Sequence, residues 1–275
     1  SSGDVGFMLA VTLRMTFGAA LVWLVLLSVK KPFTLNRQTI ITFCAASFGV
    51  FPNMPLVYWA AEKIPTGVVS LLFSTSPFIV GLFSKIILSE SIGLERLLGM
   101  IIAFLGMALV FSDQIQIGPD ALLGILAMIA STSIFSISAV MMKKLGTNTD
   151  PLQQSCGSML FALPGLWITW LMIDGSVPTH VEWVSISALA YLVVIGSLIG
   201  FSAYYYLLKN LSANTVSLTA MISPIFAMIL GTAFNDEQFN PLLLIGAAVL
   251  LIGLGVYLGL FRKLLQRTPA LQKAE

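Results

Sequence analysis

The chain is poor in charged residues, since only 9% of its 275 residues are Asp, Glu, Lys or Arg. A soluble domain carries about 25% charged residues because its surface faces water. With 57% hydrophobic residues and a mean hydropathy of +0.96, most of this chain requires an apolar solvent. We therefore predict an all-α integral membrane protein, and continuously apolar segments without alternation argue against a transmembrane barrel.

Residues that carry catalysis or metal binding are equally scarce. The chain has one histidine, His180, and two cysteines, Cys44 and Cys156, which lie in separate apolar segments. Neither a disulfide framework nor a metal site is predicted from them, and no phosphate-cradling glycine motif is present. We predict no cofactor, no enzymatic activity and no binding of nucleic acid, and we attribute the net charge of +2 to orientation in a bilayer.

Apolar segments fill the chain and are separated by short connections with turn or helix-start residues, such as Asn240–Pro241. Each segment is close to the ~20 residues that a helix needs to cross a bilayer. The predicted helices cover roughly residues 6–28, 39–60, 67–88, 96–112, 120–142, 154–173, 184–207, 214–234 and 241–261. These nine helices leave no room for a soluble domain.

The sequence repeats itself at an offset of 147 residues. The offset pairs Tyr58 with Tyr205 and Ser76–Pro77 with Ser223–Pro224, and it holds without a gap over about 90 residues. Apolar helices aligned by chance would match Leu and Ala, and a shared Ser-Pro pair is far less expected. We infer an internal duplication.

The duplication predicts the topology. Four helices of the first half match the last four, so that the helix at 120–142 opens the second repeat and its partner would precede residue 1. We predict two inverted-topology five-helix repeats, with ten helices in the complete protein, nine in this chain and the first one missing. The repeats would cover residues 1–117 and 118–262, followed by a tail at 263–275.

Basic residues favour this topology, because it places eleven of the fourteen on one side of the membrane. Lys63 lies on the other side, and Arg14 and Lys85 lie within helices. The positive-inside rule then predicts that the basic side and the C-terminus are cytoplasmic. The eleven are Lys30, Lys31, Arg37, Arg96, Lys143, Lys144, Lys209, Arg262, Lys263, Arg267 and Lys273.

Prolines in the middle of predicted helices mark the candidate substrate site, because inverted-repeat carriers bind substrate where helices are broken near the midplane. Around Pro52 and Asn53, a carbonyl freed by proline would accept a hydrogen bond from substrate; alternatively, Asn53 bonds a neighbouring helix and the kink serves packing. Ser76–Pro77 and Ser223–Pro224 would face each other and line a shared cavity, or their hydroxyls would bond back to their own helices.

Aromatic residues cluster at Tyr58–Trp59 and at three consecutive tyrosines, 204–206. Such residues are usually interface anchors. Because consecutive helical residues point about 100° apart, the three tyrosines cannot all face the lipid headgroups. We predict that Tyr204 or Tyr205 lines the cavity, and that Tyr58 and Trp59 do so in the other half.

Charged residues in or beside the predicted helices form a second set of candidates. Arg14 would bind an anionic group of the substrate, or would snorkel or pair with Asp236 or Glu237. Glu90 and Glu237, related by the offset, would latch the two repeats together or belong to a gate. No Asp or Glu falls at a predicted helix centre, so the sequence leaves energy coupling open.

The segments Thr75–Ser76–Pro77 through Ser89–Glu90 and Ile222–Ser223–Pro224 through Asp236–Glu237, with Leu13–Arg14 earlier, resemble EamA-type members of the drug/metabolite transporter superfamily. The resemblance covers about residues 6 to 262 and departs from the family where Ser89 and Asp236 replace the Gly that often precedes the Glu.

The resemblance implies a ten-helix, alternating-access carrier in a bacterial-type inner membrane, often an exporter of amino acids or related metabolites. Its partners would be a small-molecule substrate, the lipid bilayer and a proton or solute exchange partner, in a monomer or homodimer. An uncoupled facilitator of a sugar, nucleotide-sugar or drug-like solute and a non-transporting membrane scaffold are the alternatives.

Overall fold

A computed structural model of the chain describes residues 6–110, 121–146, 149–173, 175–178, 181–222 and 241–260. All regular secondary structure in these ranges is helical. Several residues with predicted roles lie outside the described residues: Ser223, Pro224, Asp236, Glu237, His180 and the tail at 263–275.

Helices make up most of the described part of the chain. Their bounds are α1 (Phe7–Ser28), α2 (Arg37–Ser47), α3 (Asn53–Ala61), α4 (Thr66–Phe73), α5 (Ser76–Ile87), α6 (Leu94–Val110), α7 (Ala121–Leu145), α8 (Pro151–Ile173), α9 (Trp183–Tyr191), α10 (Phe201–Asn210), α11 (Ala213–Ser217) and α12 (Pro241–Tyr257). A π-helix at Leu192–Gly200 joins α9 to α10.

Five helical segments in the described part are long and apolar enough to cross a membrane. They are Phe7–Ser28, Val68–Ile87, Ala121–Leu145, Pro151–Ile173 and Trp183–Asn210. Each of the nine predicted segments contains at least one described helix. The prediction of an all-α membrane protein is confirmed.

Four of the predicted helices deviate from a continuous α-helix, two of them at the prolines where the sequence predicts a break; the segment predicted at 214–234 has a turn at Leu218. The segment predicted at 39–60 breaks at residues 48–52, and the one at 67–88 breaks at residues 74–75. Both breaks lie at the prolines, which cannot donate to the preceding turn. The segment at 184–207 contains the π-helix, although no proline lies there.

One helix begins at equivalent residues in the two halves. Adding 147 to Thr66, the first residue of α4, gives Ala213, the first residue of α11. The same offset carries the break at 48–52 onto residues 195–199, inside the π-helix. The sequence repeat is therefore also a repeat of a helix start and of the site of one deviation from α-helical geometry.

The repeats run in opposite directions. Lys31 lies just after α1 and Asp150 just before α8, and the Lys31 ammonium contacts the Asp150 carboxylate at 2.5 Å. The end of α1 therefore lies beside the beginning of α8, its mate in the repeat. Helices related by the offset are antiparallel, as an inverted repeat requires.

α6 and α12 pack with their backbones in contact. A Cβ added to Gly106 would lie 2.4 Å from the Leu250 nitrogen and 2.6 Å from the Gly246 carbonyl oxygen. Gly99 and Gly253 face the partner backbone equally closely. Small residues permit this approach, as expected for helix association in lipid.

Basic residues gather at one end of the helical bundle, called here the basic end and defined by Lys31, Lys143 and Lys209. The Lys143 ammonium donates to the Lys209 carbonyl at 3.3 Å, which brings α7 and α10 together at the end where Lys31 joins α1 to α8. Lys63 lies at the opposite end, with its ammonium 5.0 Å from the centre of the Trp59 ring.

The carboxyl of Asp150 is stabilised in its charged form at the basic end. Partial burial raises its pKa, but the Lys31 ammonium and the backbone N–H groups of Leu152 and Gln153 lower it by more. The Leu152 N–H donates to the Asp150 carboxylate at 3.0 Å, which also caps the start of α8. The net effect is a pKa below the usual value.

Candidate substrate cavities

A small central cavity lies where the break between α4 and α5 meets α7, α10 and α11. Its volume is about 110 Å³, and Ser76 and Tyr204, both predicted site residues, line it with Phe73, Phe135 and Ser217. The break exists because Pro77, a buried residue at the start of α5, has no N–H to donate to the Phe73 carbonyl. The structure thus brings two of the predicted residues together at a broken helix.

Hydroxyls at this break behave in two ways. Ser74 and Thr75 donate to the carbonyls of Leu71 and Leu72, each at 2.6 Å, and so satisfy their own helix. The buried Ser76 hydroxyl has no hydrogen-bond partner among the described residues and lines the cavity. Ser74 and Thr75 therefore bond back to their own helix, whereas Ser76 lines the cavity.

Aromatic rings form a row through the centre of the protein. The centroids of Phe73 and Phe135 lie 5.6 Å apart, those of Phe135 and Tyr204 5.4 Å, and those of Tyr204 and Tyr205 5.3 Å. The row connects α4, α7 and α10. Tyr205 is buried and Tyr206 is exposed, so the three consecutive tyrosines divide between the interior and the surface.

A second cavity of about 430 Å³ opens at the end opposite the basic end, between α1, α3 and α9. Arg14 and Tyr58 line it among largely apolar side chains. Arg14 Nη1 donates to the Tyr58 hydroxyl at 3.2 Å, and Arg14 Nε is buried with no partner in the described residues. Pairing of Arg14 with Asp236 or Glu237 involves residues outside the described ranges.

A third cavity of about 380 Å³ lies at the basic end. Tyr205, Gln154, Lys143 and Lys209 line it. The buried Gln154 amide donates to the Thr42 carbonyl at 3.2 Å, while its oxygen is buried without a partner in the described part of the chain. This end of the protein therefore offers a polar pocket beside two ammonium groups.

The repeat relates the two larger cavities to each other. Tyr58 lines the cavity at one end and Tyr205, its mate at the offset of 147, lines the cavity at the other. Tyr205 also contacts Tyr204, which lines the central cavity. Equivalent positions of the two halves thus line cavities at opposite ends of the protein.

Asn53 is used for packing between helices. Its side-chain amide donates to the Gly49 carbonyl at 2.9 Å, and its oxygen accepts from the Ser131 hydroxyl at 2.5 Å. The residue is buried and ties the start of α3 to α7. Of the two interpretations of Asn53, the contacts correspond to bonding with a neighbouring helix.

Trp59 and Glu90 are predicted residues that line none of these three cavities. Trp59 packs beneath the Lys63 ammonium at the end opposite the basic end. Glu90 is exposed just after α5, and its backbone N–H donates to the Ser84 carbonyl at 3.2 Å. The proposed latch partner Glu237 lies outside the described residues, as do Ser223 and Pro224.

Sequence reasoning missed Phe135, Gln154 and Ser197. Ser197 lies in the π-helix, and its buried hydroxyl has no partner in the described ranges. A Cβ on Gly18 would lie 2.7 Å from the Ser197 Cβ, so α1 approaches the π-helix closely. Gln154 carried a usable signal, because a buried amide in an apolar helix requires hydrogen-bond partners.

Comparison with known proteins gives consistent matches. Over 255 residues the chain is 27% identical to the uncharacterized transporter YetK of Bacillus subtilis (strain 168), covering 89% of this chain and 76% of YetK. It is 27% identical over 207 residues to the protein PecM of Dickeya dadantii (strain 3937), covering 74% of this chain and 67% of PecM.

Some matches span less of the relative. The chain spans 60% of the uncharacterized transporter YvbV of Bacillus subtilis, at 24% identity, and 48% of the chloroplastic WAT1-related protein At3g02690 of Arabidopsis thaliana, at 25% identity. A crystal structure with 17% sequence identity superposes with a TM-score of 0.78, covering 94% of this chain and 90% of the other, which establishes a shared fold.

The family model for EamA-like transporters matches residues 2–112 and again residues 122–259. Together these matches cover nearly the whole chain, once in each half. The protein is a multi-pass membrane protein, and the chain belongs to the EamA-like transporter family.

Proposed function

We propose that the protein carries a small metabolite, an amino acid or a related compound, across the cytoplasmic membrane by alternating access. The observation that carries the proposal is the pair of cavities at the two ends of the protein, one lined by Tyr58 and the other by Tyr205, its equivalent in the repeat. In an inverted repeat, exchanging the conformations of the two halves closes one end and opens the other.

Cavity sizes support this mechanism. The two end cavities, about 430 and 380 Å³, fall within the range of small-molecule sites, whereas the central cavity of about 110 Å³ is smaller than that range. A solute passing the centre would need the α4–α5 break to move. Breaks in helices supply such hinges, since the backbone there is not bound into a continuous ladder of hydrogen bonds.

Orientation follows from the charges. The basic end, with Lys31, Lys143 and Lys209, would face the cytoplasm under the positive-inside rule, and the C-terminus would lie on the same side. Export is the direction that the family resemblance favours. The membrane would be the inner membrane of a bacterial-type cell.

A facilitator without ion coupling is the second candidate, and the positions of the acidic residues favour it. In the described part of the chain, Asp and Glu occur at helix ends or in connections: Glu62, Glu90, Glu95, Asp150 and Glu182. Proton-driven carriers commonly hold a carboxylate inside the membrane. Solute exchange or uncoupled transport needs no such group.

Reconstitution into liposomes tests both candidates. A panel of amino acids, sugars and nucleotides is first screened by thermal shift, since a bound ligand stabilises the folded protein. Counterflow of each hit is then measured with and without a pH gradient. Saturable counterflow supports a carrier, and insensitivity to the gradient supports the facilitator; absence of counterflow for every solute that binds contradicts both and favours a scaffold.

A further inference from the structure

We propose that the cavity at the end opposite the basic end recognises the anionic group, a carboxylate or a phosphate, of a solute with an apolar body. Arg14 and Tyr58 would bind the anion. The inference rests on the proposed function in one respect, namely that the bound solute is the one carried.

Arg14 is a cation inside a membrane-spanning helix. A guanidinium has five N–H donors and remains charged, so it requires a counter-charge or water when surrounded by apolar groups. The one hydrogen-bond partner of its side chain in the described residues is the neutral Tyr58 hydroxyl, and Nε is buried without a partner. A hydroxyl satisfies a donor but does not compensate the charge.

The position of Arg14 is fixed by its surroundings. A Cβ on Gly196 would stand 2.6 Å from Arg14 Nη2, so this glycine of the π-helix provides the room that the guanidinium occupies. Tyr58 accepts from Arg14 and keeps its own O–H as a donor. Two donor groups from different helices therefore meet at one place beside an open cavity.

Apolar side chains form most of the remaining wall. Leu9, Leu13, Val181, Ile186 and Leu192 line the cavity, and its described lining includes no carboxylate. These walls suit a hydrocarbon or aromatic body and offer few partners for a polyhydroxylated solute. The single cation disfavours a positively charged group.

The cavity at the basic end has the same charge character. Lys143 and Lys209 line it, and no acidic side chain is among the described residues that do so. The adjoining cavity lined by Lys31 also contains Asp150, which pairs with that lysine. The cavities at both ends of the protein therefore have basic side chains in their described linings, Arg14 at one end and Lys143 at the other, which would attract an anionic solute.

Three solutes with one aromatic body and different headgroups test the site in the unmodified protein: phenylacetate, 2-phenylethanol and 2-phenylethylammonium. Binding is measured by titration calorimetry in nanodiscs of phosphatidylcholine. Saturable binding of phenylacetate, with much weaker binding of the alcohol and the amine, is expected. Equal binding of all three, or no binding of phenylacetate, would overturn the assignment without any substitution.

Substitutions then assign the site to its residues. Arg14→Gln is expected to weaken phenylacetate binding about tenfold to hundredfold, the loss of one charge-assisted hydrogen bond, and Arg14→Lys by less. Arg96→Gln is the matched control, because this exposed guanidinium also lies beside a tyrosine ring, 5.9 Å from that of Tyr257. Equal losses in the Arg14→Gln and Arg96→Gln variants would contradict the proposal.

A lipid phosphate has the same chemistry as a free anion, so the titration is repeated in nanodiscs containing phosphatidylglycerol. If phosphatidylglycerol leaves the affinity for phenylacetate unchanged, the site binds a free solute. If it weakens phenylacetate binding to the unmodified protein but not to the Arg14→Gln variant, a lipid headgroup occupies the site, and the assignment to a solute is overturned. Counterflow separates this inference from the transport proposal. If other solutes are transported but phenylacetate does not bind, only the anion site is contradicted. If phenylacetate binds but no solute shows counterflow, only the transport proposal is contradicted.

Discussion

Replacing Ser76 by alanine should separate stability from transport. The Ser76 hydroxyl is buried without a partner in the described structure, and such a group destabilises a fold by about 1–3 kcal/mol relative to a satisfied one. Its removal should therefore leave the free energy of unfolding unchanged or raise it by up to about 1 kcal/mol. If the hydroxyl bonds substrate during transport, its loss should slow counterflow about twofold to tenfold, the equivalent of one neutral hydrogen bond.

Ser74 provides the matched control two residues away. It is equally buried, but its hydroxyl donates to the Leu71 carbonyl at 2.6 Å. Ser74→Ala should lower the free energy of unfolding by about 0.5–1.5 kcal/mol and leave the rate of counterflow near that of the wild type. Ser74→Ala should therefore lower the stability and leave transport unchanged, whereas Ser76→Ala should slow transport and leave the stability unchanged or raised.

The assays are denaturant unfolding in nanodiscs and counterflow in liposomes, at equal amounts of incorporated protein. A Ser76→Ala variant that is destabilised by more than Ser74→Ala would show that the hydroxyl has a structural bond. A Ser76→Ala variant that transports at the wild-type rate would refute its contact with substrate, whatever its stability.

Three further predictions concern packing, pH and orientation. Gly106→Ala should lower the free energy of unfolding by about 1–3 kcal/mol, because a Cβ 2.4 Å from the Leu250 nitrogen forces α6 and α12 apart, which outweighs the gain of about 1 kcal/mol in helix propensity. Gly93→Ala, the control, has open space around it and should change the free energy of unfolding little; equal unfolding curves for the two variants would contradict this packing. Asp150 has a lowered pKa, so its contribution to stability should be present above its unfolded pKa and fall as the pH drops below about 4. The Asp150→Asn variant should lose less stability at acid pH than the wild type, by less than about 1 kcal/mol because the pair with Lys31 is partly exposed; the same acid unfolding curve for both proteins would contradict this contribution. A reporter fused after residue 275 should be active in the cytoplasm, and an external signal would reverse the proposed orientation.

Much of the fold is readable from the sequence because lipid imposes simple rules. Apolar runs of about 20 residues locate the helices, and the offset of 147 predicts that α4 and α11 begin at equivalent residues, which Thr66 and Ala213 confirm. Pro52 and Pro77 predict where two helices deviate. The π-helix at Leu192–Gly200 has no such signature in the sequence, and it packs against α1, where Gly18 meets Ser197.

The cavities are less readable, because their lining depends on how each helix is rotated. Ser76 stood out through its Ser-Pro motif and Tyr204 through its two tyrosine neighbours. Phe135 did not, because α7 carries serines and apolar residues on every side and shows no polar face. Asn53 was correctly located at a break, but only the position of Ser131 on α7 decides that its amide bonds a helix.

The equivalent bends of the two halves differ in what they allow the backbone to do. At residues 48–52 the first half is interrupted at a proline, which cannot regain an amide donor, so the interruption is permanent. At residues 195–199 the second half keeps every amide N–H and only widens its turns. A widened turn can tighten again and rotate the residues that follow it, including Tyr204 and Tyr205. An internally duplicated protein can thus hold one copy of a bend that persists and one that can straighten, which makes its two otherwise equivalent halves mechanically unequal.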